Sequence, residues 1–362
     1  MRYPKISCLV LFLLVCNSCS TLLFKADPKN TPTTCFNLMW KTIDEHYSYF
    51  EYKHINWDSV KSVYAKRVND TMSEDSLYGV LSSMLFALKD GHVNLSTPTN
   101  RSRNWSWKDD FPDNFNQNFV YRTYMKRDFH ITGALPNQFI GDSIGYFRYG
   151  SFSSGISDSD IDYVFKRFEN AKGLIIDVRD NGGGSMANIF KLMSRFVESK
   201  TLVGYSYRKN GTGHNDFSQR TEYYAEPINK EVKQINGKAP KRTFKKPSFV
   251  NRPIVVLINR GCYSATTHFA GFMSQLPNVT LVGDNTGGGG GLPISADLPC
   301  GWQYRFSATR QTLPNGFEIE GGVPAQVYVA TGPKEELEGK DAIIEKGIEV
   351  IKSKQKKLGQ LK

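Results

Sequence analysis

The sequence has few cysteines and only one long apolar run. The scarcity of both narrows the classes of function that the protein can have. Only Cys35, Cys262 and Cys300 follow the N-terminal segment, without a C-x-x-C pair or the spacing of a zinc site. The glycine run at 287–291 lacks the Lys-Ser/Thr that completes a phosphate-binding loop. The sequence therefore predicts no metal and no cofactor. One disulfide is possible, from a pair that the sequence does not specify.

The apolar run lies at the N-terminus and has the form of an export signal. Two positive charges in MRYPK precede ISCLVLFLLVC, which is too short to span a bilayer. A small residue precedes Cys19 in CNSCS, an arrangement that resembles the lipobox of bacterial lipoproteins. We expect cleavage before Cys19 and lipid attachment to its sulfur, with Cys16 as a weaker site and unlipidated secretion as the alternative. The protein is then an exported lipoprotein, periplasmic or anchored to a cell-envelope membrane.

The basic charge of the chain does not indicate a nucleic-acid partner. The formal net charge is +11, but the excess is scattered, with denser runs only at 238–246 and 352–357. An exported protein does not meet nucleic acid, so these runs are interpreted as solvated surface, possible neighbours of anionic lipid. The apolar fraction of 40% is sufficient for a substantial core.

Periodicity divides the chain into a helical part and an α/β part. Apolar residues recur three and four positions apart in 34–88, with Thr71 and Ser73 as candidate helix caps. GLIIDV, PIVVLI and NVTLVG are continuous apolar runs, typical of strands buried on both faces. Their alternation with helical segments predicts an α/β fold with a parallel sheet. The polar stretch 206–250 is interpreted as a loop or lid. The predicted segments are a signal peptide (1–18), a lipid-anchored linker (19–33), a helical N-terminal lobe (34–95), an irregular connector with one or two strands (96–140), an α/β core (141–333), and a C-terminal helix and tail (334–362).

The stretch NRGCYSATTHF places a serine where a buried strand passes into a helix. Ser264 is expected at the carboxyl edge of the sheet, where ligand sites concentrate. The free N–H groups of a helix start also suit a developing oxyanion. A helix cap is the simpler role for this serine. Because the stretch is not G-x-S-x-G, a nucleophile elbow is not expected.

Three other stretches carry polar or glycine residues at turns. DVRDNGGGS (177–185) also leaves a buried strand and opens a helix, so its glycines could bring backbone N–H groups close to a ligand. His92 follows Asp-Gly in LKDGHVNL, and Glu318 and Glu320 precede a Gly-Gly turn in GFEIEGGVP. Each stretch alone is compatible with an ordinary turn.

Taken together, the stretches resemble a known family. LKDGH, DVRDNGGG, NRGCYSATT, TGGGG and EGGVPA occur in the order found in the C-terminal-processing (tail-specific) serine peptidases, including the tricorn core protease branch. The resemblance covers about 34–330. It implies a ClpP- or crotonase-like α/β core beneath a helical lobe, and serine endopeptidase or peptidase activity on peptide or protein substrates.

The resemblance also implies roles for five residues. Ser264 matches the nucleophile that forms an acyl-enzyme, and His92 matches the general base of the tricorn-like branch. Glu320 matches the carboxylate that orients the base. The N–H groups of Ala265 and Gly183 match the oxyanion hole.

Two departures from the family pattern leave alternatives open for the base. Gly289 stands where the bacterial processing branch has a lysine base, and no lysine occurs in 261–333, so a Ser–His arrangement remains. His268, four residues after the serine, is the alternative histidine. Gly91 stands where the tricorn branch has a relay serine, so Asp90 or Glu318 could orient His92 in place of Glu320.

A binding function is the alternative to peptidase activity. The same fold resembles repeats in a retinoid-binding protein, which bind apolar ligands without proteolysis. Thr266 and Thr267 replace a serine and a glutamate of the family's nucleophile segment. These departures leave open a catalytically weak or inactive lipoprotein that binds peptides or apolar ligands in the same cleft.

Overall fold

The structure is a computed structural model that describes residues 28–141, 143–228, 249–329 and 336–360. The predicted signal peptide, Cys19 and the part of the predicted lid at 229–248 lie outside the described residues. The helices are α1 Pro32–His46, α2 Trp57–Tyr64, α3 Glu74–Phe86, α4 Ser106–Asp109, α5 Gln117–Val120, α6 Asp158–Arg167, α7 Met186–Met193, α8 Ala265–Met273 and α9 Ala342–Gln360. The strands are β1 Asn94–Ser96, β2 His130–Thr132, β3 Leu135–Ile140, β4 Ile144–Arg148, β5 Gly173–Asp177, β6 Thr201–Arg208, β7 Thr221–Ala225, β8 Ile254–Ile258, β9 Val279–Gly283, β10 Pro293–Asp297, β11 Gln303–Ser307, β12 Thr309–Thr312 and β13 Val327–Tyr328.

The central sheet has seven strands in the order β13-β9-β8-β5-β4-β3-β2. The five strands from β13 to β4 run parallel, and the three predicted buried strands are β5, β8 and β9. Along β8, Val256 packs into the cluster that includes α6, α7 and α8, whereas Val255 and Leu257 pack into the cluster that includes α9. Both faces of the strand are therefore covered, which explains its continuous apolar sequence.

The connector predicted as irregular contributes two strands to this sheet. It also contains α4, α5 and a π-helical turn at Tyr121–Met125. β2 pairs with β3, and β3 pairs antiparallel with β4, so the sheet begins at His130 and not at 141. Two strands in 96–140 agree with the one or two predicted there, and their polar composition fits their position at the edge of the sheet, where one strand faces solvent.

The helical lobe has a hydrophobic core of its own. Thr31 and Ser73 are the N-cap residues of its helices α1 and α3, and their side chains accept backbone N–H groups of the first turn. The lobe packs on a sheet of order β1-β11-β10. Strands at 293–307, predicted within the α/β core, therefore belong to the lobe. None of the described helices is both long and apolar enough to cross a bilayer.

A buried ion network fixes the C-terminal helix to the end of β5. The fully buried guanidinium of Arg179 binds Asp177 at 2.7 Å and Asp341 at 2.8 Å. Tyr146 donates its hydroxyl to Asp177 at 2.8 Å. The Asp and Arg of the predicted DVRDN motif thus connect the sheet to the residue just before α9, which holds the loop that follows Arg179 in place.

Candidate active site

The structure brings Ser264 and His92 into contact. Nε2 of His92 lies 2.9 Å from Oγ of Ser264, although 172 residues separate them in the chain. Ser264 belongs to the α/β core, and His92 follows the last helix of the lobe. The pair therefore forms where the lobe meets the carboxyl ends of the parallel strands, as the sequence predicted for the serine.

The turn that carries Ser264 is strained. Its backbone has φ 56° and ψ −122°, in the region where non-glycine residues are rare. Ser264 stands at the N-cap position of α8, but its side chain makes no capping hydrogen bond. The helix-cap interpretation is therefore wrong, and so is the expectation drawn from the missing G-x-S-x-G pattern. A strained strand-to-helix turn presents the hydroxyl despite the different sequence.

Two asparagines hold this turn against the glycine loop at 177–185. The side chain of Asn259 donates to Asp180 at 3.0 Å and accepts the Asp180 N–H at 2.9 Å. The carbonyl of Asn181 accepts the N–H of Tyr263 at 3.1 Å. These contacts join the two loops that follow neighbouring strands β5 and β8, so both face one cleft.

The N–H groups predicted for an oxyanion hole lie beside the serine. Ala265 is the first residue of α8, where a backbone N–H has no partner within the helix. Gly183 packs so closely that a Cβ at its position would lie 2.9 Å from Cβ of Ser264. Its N–H, however, donates to Oδ1 of Asn181 at 3.0 Å. Gly183 thus has the right location and an N–H that is already bonded.

Burial keeps His92 in its neutral form. The residue is 5% exposed, and burial lowers the pKa of its imidazole to about 4, against an opposing effect of the Asp90 carboxylate. Asp90 also accepts the backbone N–H of His92 at 2.8 Å. Nδ1 of His92 is buried and has no hydrogen-bond partner within the described part of the chain. A neutral imidazole at Nε2 is able to accept a proton at ordinary pH.

Glu320 is not placed against His92. Its carboxylate accepts Lys53 at 2.7 Å and the N–H of Gly291 at 3.2 Å. Lys53 also lies 3.6 Å from Asp90. Burial raises the pKa of Glu320 to about 7, although the ammonium of Lys53 acts in the opposite direction. Of the three carboxylates considered for orienting the base, Glu318 binds Arg310 and Glu320 binds Lys53, whereas Asp90 contacts His92 through the backbone N–H.

The position of the family's relay serine is filled by two aromatic side chains. A Cβ on Gly91 would lie 2.5 Å from Nε1 of Trp107 and 2.7 Å from the hydroxyl of Tyr263. The two rings stack with centroids 4.0 Å apart. A serine cannot be accommodated here without movement of these rings, which explains the glycine.

His268 does not reach the serine hydroxyl. Its Nδ1 donates to the carbonyl oxygen of Ser264 at 2.9 Å, and the residue is fully buried. Burial lowers the pKa of this imidazole to about 4. Its contact is with the backbone of the turn, so the geometry favours His92 as the base.

A cleft of about 610 Å³ opens in front of the Ser–His pair. Trp105 and Trp107 line it together with the three glycines at 182–184, and Arg305 also lines it. Sequence reasoning missed Lys53, Trp107 and Arg305. Lys53 stands in an aromatic-rich segment, HYSYFEYKH, whose density of rings could have indicated a buried charge.

Comparison with known proteins finds two family models that match this chain. Residues 143–329 match peptidase family S41, and residues 28–86 match the tricorn protease C1 domain. A carboxyl-terminal-processing protease of Synechocystis is 26% identical over 54% of this chain and 40% of its own length. A carboxy-terminal processing protease of Bacillus subtilis is 26% identical over 56% and 38%. The chain thus spans less than half the length of these curated relatives.

Solved structures extend the likeness over nearly the whole chain. A candidate peptidase from Parabacteroides merdae has a TM-score of 0.80 and 40% identity, covering 89% of this chain and 97% of that one. The photosystem II D1 C-terminal processing protease has a TM-score of 0.52 at 16% identity, covering 86% and 97%, and shows the shared fold alone. With a family match over half of its length, this chain belongs to peptidase family S41.

Proposed function

We propose that the protein is a serine peptidase in which Ser264 attacks the carbonyl carbon of a peptide bond. The observation that carries the proposal is the 2.9 Å contact between Nε2 of His92 and Oγ of Ser264 at the floor of an open cleft. As the C–O bond forms, the hydroxyl proton passes to Nε2. The imidazolium then gives this proton to the leaving amine, and water releases the acyl group by the same route.

The oxyanion hole in this proposal consists of the N–H groups of Ala265 and Gly183. Ala265 contributes the free end of helix α8. The N–H of Gly183 must exchange the side-chain oxygen of Asn181 for the substrate oxygen. The N–H of Phe152 also donates to Oδ1 of Asn181, at 3.3 Å. Asn181 therefore keeps a hydrogen-bond partner when the N–H of Gly183 binds the substrate oxygen. One such donor is typically worth about 3 kcal/mol of transition-state stabilisation.

Asp90 is assigned here the role of the anion that stabilises the imidazolium of His92. It already accepts the backbone N–H of His92, and Tyr47 and Ser307 hold its other oxygen at 3.1 and 2.9 Å. Glu320, the family's orienting residue, would act one step away, through the Lys53 ammonium that lies between the two carboxylates.

The remaining parts of the proposal concern fold class and location. The parallel sheet, with helices on both faces and a site at its carboxyl edge, is compatible with a ClpP- or crotonase-like core. The N-terminal sequence supports export and a lipid on Cys19. The lipid would anchor the enzyme to a cell-envelope membrane, and the cleft would bind peptide or protein substrates.

The test is reaction of the full chain, purified in detergent, with a fluorophosphonate probe. We expect one probe per molecule on Ser264, lost in Ser264→Ala and in His92→Ala but retained in His268→Gln. Intact mass reports both modifications at once, since lipid on Cys19 adds its own increment that Cys19→Ser removes.

Each result has a distinct meaning. Labelling that survives His92→Ala overturns the assigned base. A folded wild-type chain that does not react excludes the peptidase and leaves the ligand-binding lipoprotein, for which the bonded N–H of Gly183 is the supporting feature. An N-terminal mass without lipid removes the anchor and leaves the peptidase proposal unaffected.

A further inference from the structure

Arg305 brings a positive charge into the active cleft. It lies on β11, directly opposite Asn94 of β1, two residues beyond the base. Its half-buried side chain lines the same cleft as Ser264 and His92. Within the described part of the chain, its guanidinium has no hydrogen bond and no ion pair.

The nearest carboxylate is not available to neutralise this charge. Asp90 acts on Arg305 only electrostatically. Its oxygens are already occupied by the backbone N–H of His92, by the hydroxyls of Tyr47 and Ser307, and by the ammonium of Lys53. A guanidinium that loses water without gaining an anion is unfavourable, so the half-buried Arg305 favours binding of an anionic group in the cleft.

The other charges near the cleft leave it with an excess of positive charge. Lys108 and Asp180 also line it, and Oδ1 of Asp180 accepts one hydrogen bond from the side chain of Asn259. Arg101, the neighbouring cation on the same side of the lobe, is exposed and donates to Asn94 at 3.2 Å. Arg305 is therefore the guanidinium whose five donors remain for a ligand.

We propose that Arg305 binds a carboxylate of the substrate and thereby determines specificity. This inference rests on the proposed peptidase function and names its substrate class: peptides that carry a carboxylate close to the scissile bond. The carboxylate is either an Asp or Glu side chain or the free C-terminus. A planar guanidinium binds either one through two parallel hydrogen bonds, which a neutral amide cannot reproduce.

The experiment measures how peptides slow the labelling of Ser264 by the fluorophosphonate probe. Matched random pentapeptide pools are compared: free acids against C-terminal amides, and pools with a fixed Glu against pools with a fixed Gln. We expect the carboxylate-bearing pool to protect the wild type roughly 10- to 100-fold better than its neutral counterpart, as for a hydrogen bond to a charged group. The pair of pools that differs identifies the source of the carboxylate.

Three variants at the same position sharpen the test. Arg305→Gln should abolish the difference between pools, Arg305→Lys should keep part of it, and Arg305→Glu should reverse it in favour of the neutral pool of the same pair. Arg101→Gln is the matched control, because it removes a neighbouring charge outside the cleft, and should keep the preference. A purely structural role for Arg305 would not reverse the preference.

The outcomes separate this inference from the proposed function. Labelling of the wild type without a difference between acidic and neutral pools overturns the role of Arg305 alone. A difference that persists in Arg305→Gln also overturns it. Absence of labelling in the folded wild type contradicts the peptidase itself and, with it, the inference that depends on it.

Discussion

Two cations in this protein, Arg179 and Lys53, each lie between two carboxylates, with side chains 0% and 12% exposed, and they differ in how completely they are bound. Arg179, in the core, makes paired hydrogen bonds to Asp177 and Asp341 at 2.7–3.2 Å. Lys53, under the active site, makes one short contact with Glu320, a longer one of 3.6 Å with Asp90, and a hydrogen bond of 3.1 Å to the carbonyl of Lys89. The guanidinium thus binds both of its carboxylates at hydrogen-bond distance, whereas the ammonium does so with one of its two.

The difference appears in how the carboxylates titrate. Burial alone would raise the pKa of Asp177, but the guanidinium of Arg179 holds it below its usual range. At the lysine, burial raises the pKa of Glu320 to about 7 despite the ammonium, so this site changes charge near neutral pH. The planar guanidinium of Arg179 therefore stabilises the fold, whereas the ammonium of Lys53 leaves Glu320 able to gain or lose a proton close to the base. The predictions below test this contrast, from the largest effect to the smallest.

Removing one carboxylate from the arginine network should cost the most stability. Asp341→Ala leaves half of the Arg179 guanidinium buried and unpaired, so we expect the free energy of unfolding to fall by about 3–5 kcal/mol. Denaturant unfolding measures it. Glu349→Ala, which breaks the exposed pair with Lys346, is the control and should change little. A loss below about 1 kcal/mol for Asp341→Ala would contradict the structural role of this network.

Removing the lysine should affect reactivity. In Lys53→Met, Asp90 and Glu320 face each other without a cation, one of them takes up a proton, and the anion that supports the imidazolium is weakened. We expect the rate of Ser264 labelling at neutral pH to fall roughly 10- to 100-fold, within the range of general-base effects. Arg310→Met, which frees Glu318 instead, should leave the rate close to wild type. Equal effects of the two variants would argue against Lys53.

Restoring the family's relay serine should impair this chain. Gly91→Ser places a Cβ against Trp107 and Tyr263, so we expect a loss of about 1–3 kcal/mol in unfolding free energy and slower labelling. Gly91→Ser combined with Trp107→Ala should recover part of the labelling rate, since the space is then open. If Gly91→Ser alone reacts faster than wild type, the serine relay is compatible with these aromatic neighbours after all.

The helical lobe, which carries Lys53, should form a disulfide between Cys35 and Cys300. The thiol of Cys35 contacts Cys300, and both pack in the core of the lobe, whereas Cys262 is buried in the main core. With glutathione disulfide as oxidant, we expect Cys35 and Cys300 to lose about 2 Da and form one disulfide, while Cys262 stays reduced. The Tm should rise by roughly 5 °C. Peptide mapping that finds Cys262 in a disulfide would contradict this pairing.

The smallest expected effect is the response of labelling to mild acid. An imidazole with an ordinary pKa of 6.5 would be mostly protonated at pH 5, but burial lowers the pKa of His92 to about 4. The base therefore stays neutral. Glu320 takes up a proton in this range, but Lys53 holds the pKa of Asp90 below its usual range against the effect of burial, so the anion beside the base stays ionised. Labelling should change less than about twofold between pH 7 and pH 5. Below the unfolded pKa, however, the unfolded chain takes up protons that the buried ring does not, so stability falls as pH drops from 6.5 towards 4. Circular dichroism must confirm that the chain is still folded.

The sequence predicts the parallel strands and the two residues in contact, Ser264 and His92, better than the side chains that surround this pair. Continuous apolar runs identify β5, β8 and β9 because burial on both faces leaves no polar positions. Ser264 and His92 are found because their motifs are local. The strained φ of Ser264, the pairing of β1 with β11, and the positions of Lys53 and Arg305 depend on contacts between distant segments, which no local pattern encodes.

The pairing of β1 with β11 has a consequence for the time at which the protein becomes reactive. The strand that follows His92 finds its partner only at Gln303–Ser307, after the chain has already passed Ser264. A growing chain therefore displays its nucleophile before the base can be held against it. We expect such a chain to be chemically silent until its last third has folded, so that the ribosome-bound intermediate carries no reactive Ser–His pair.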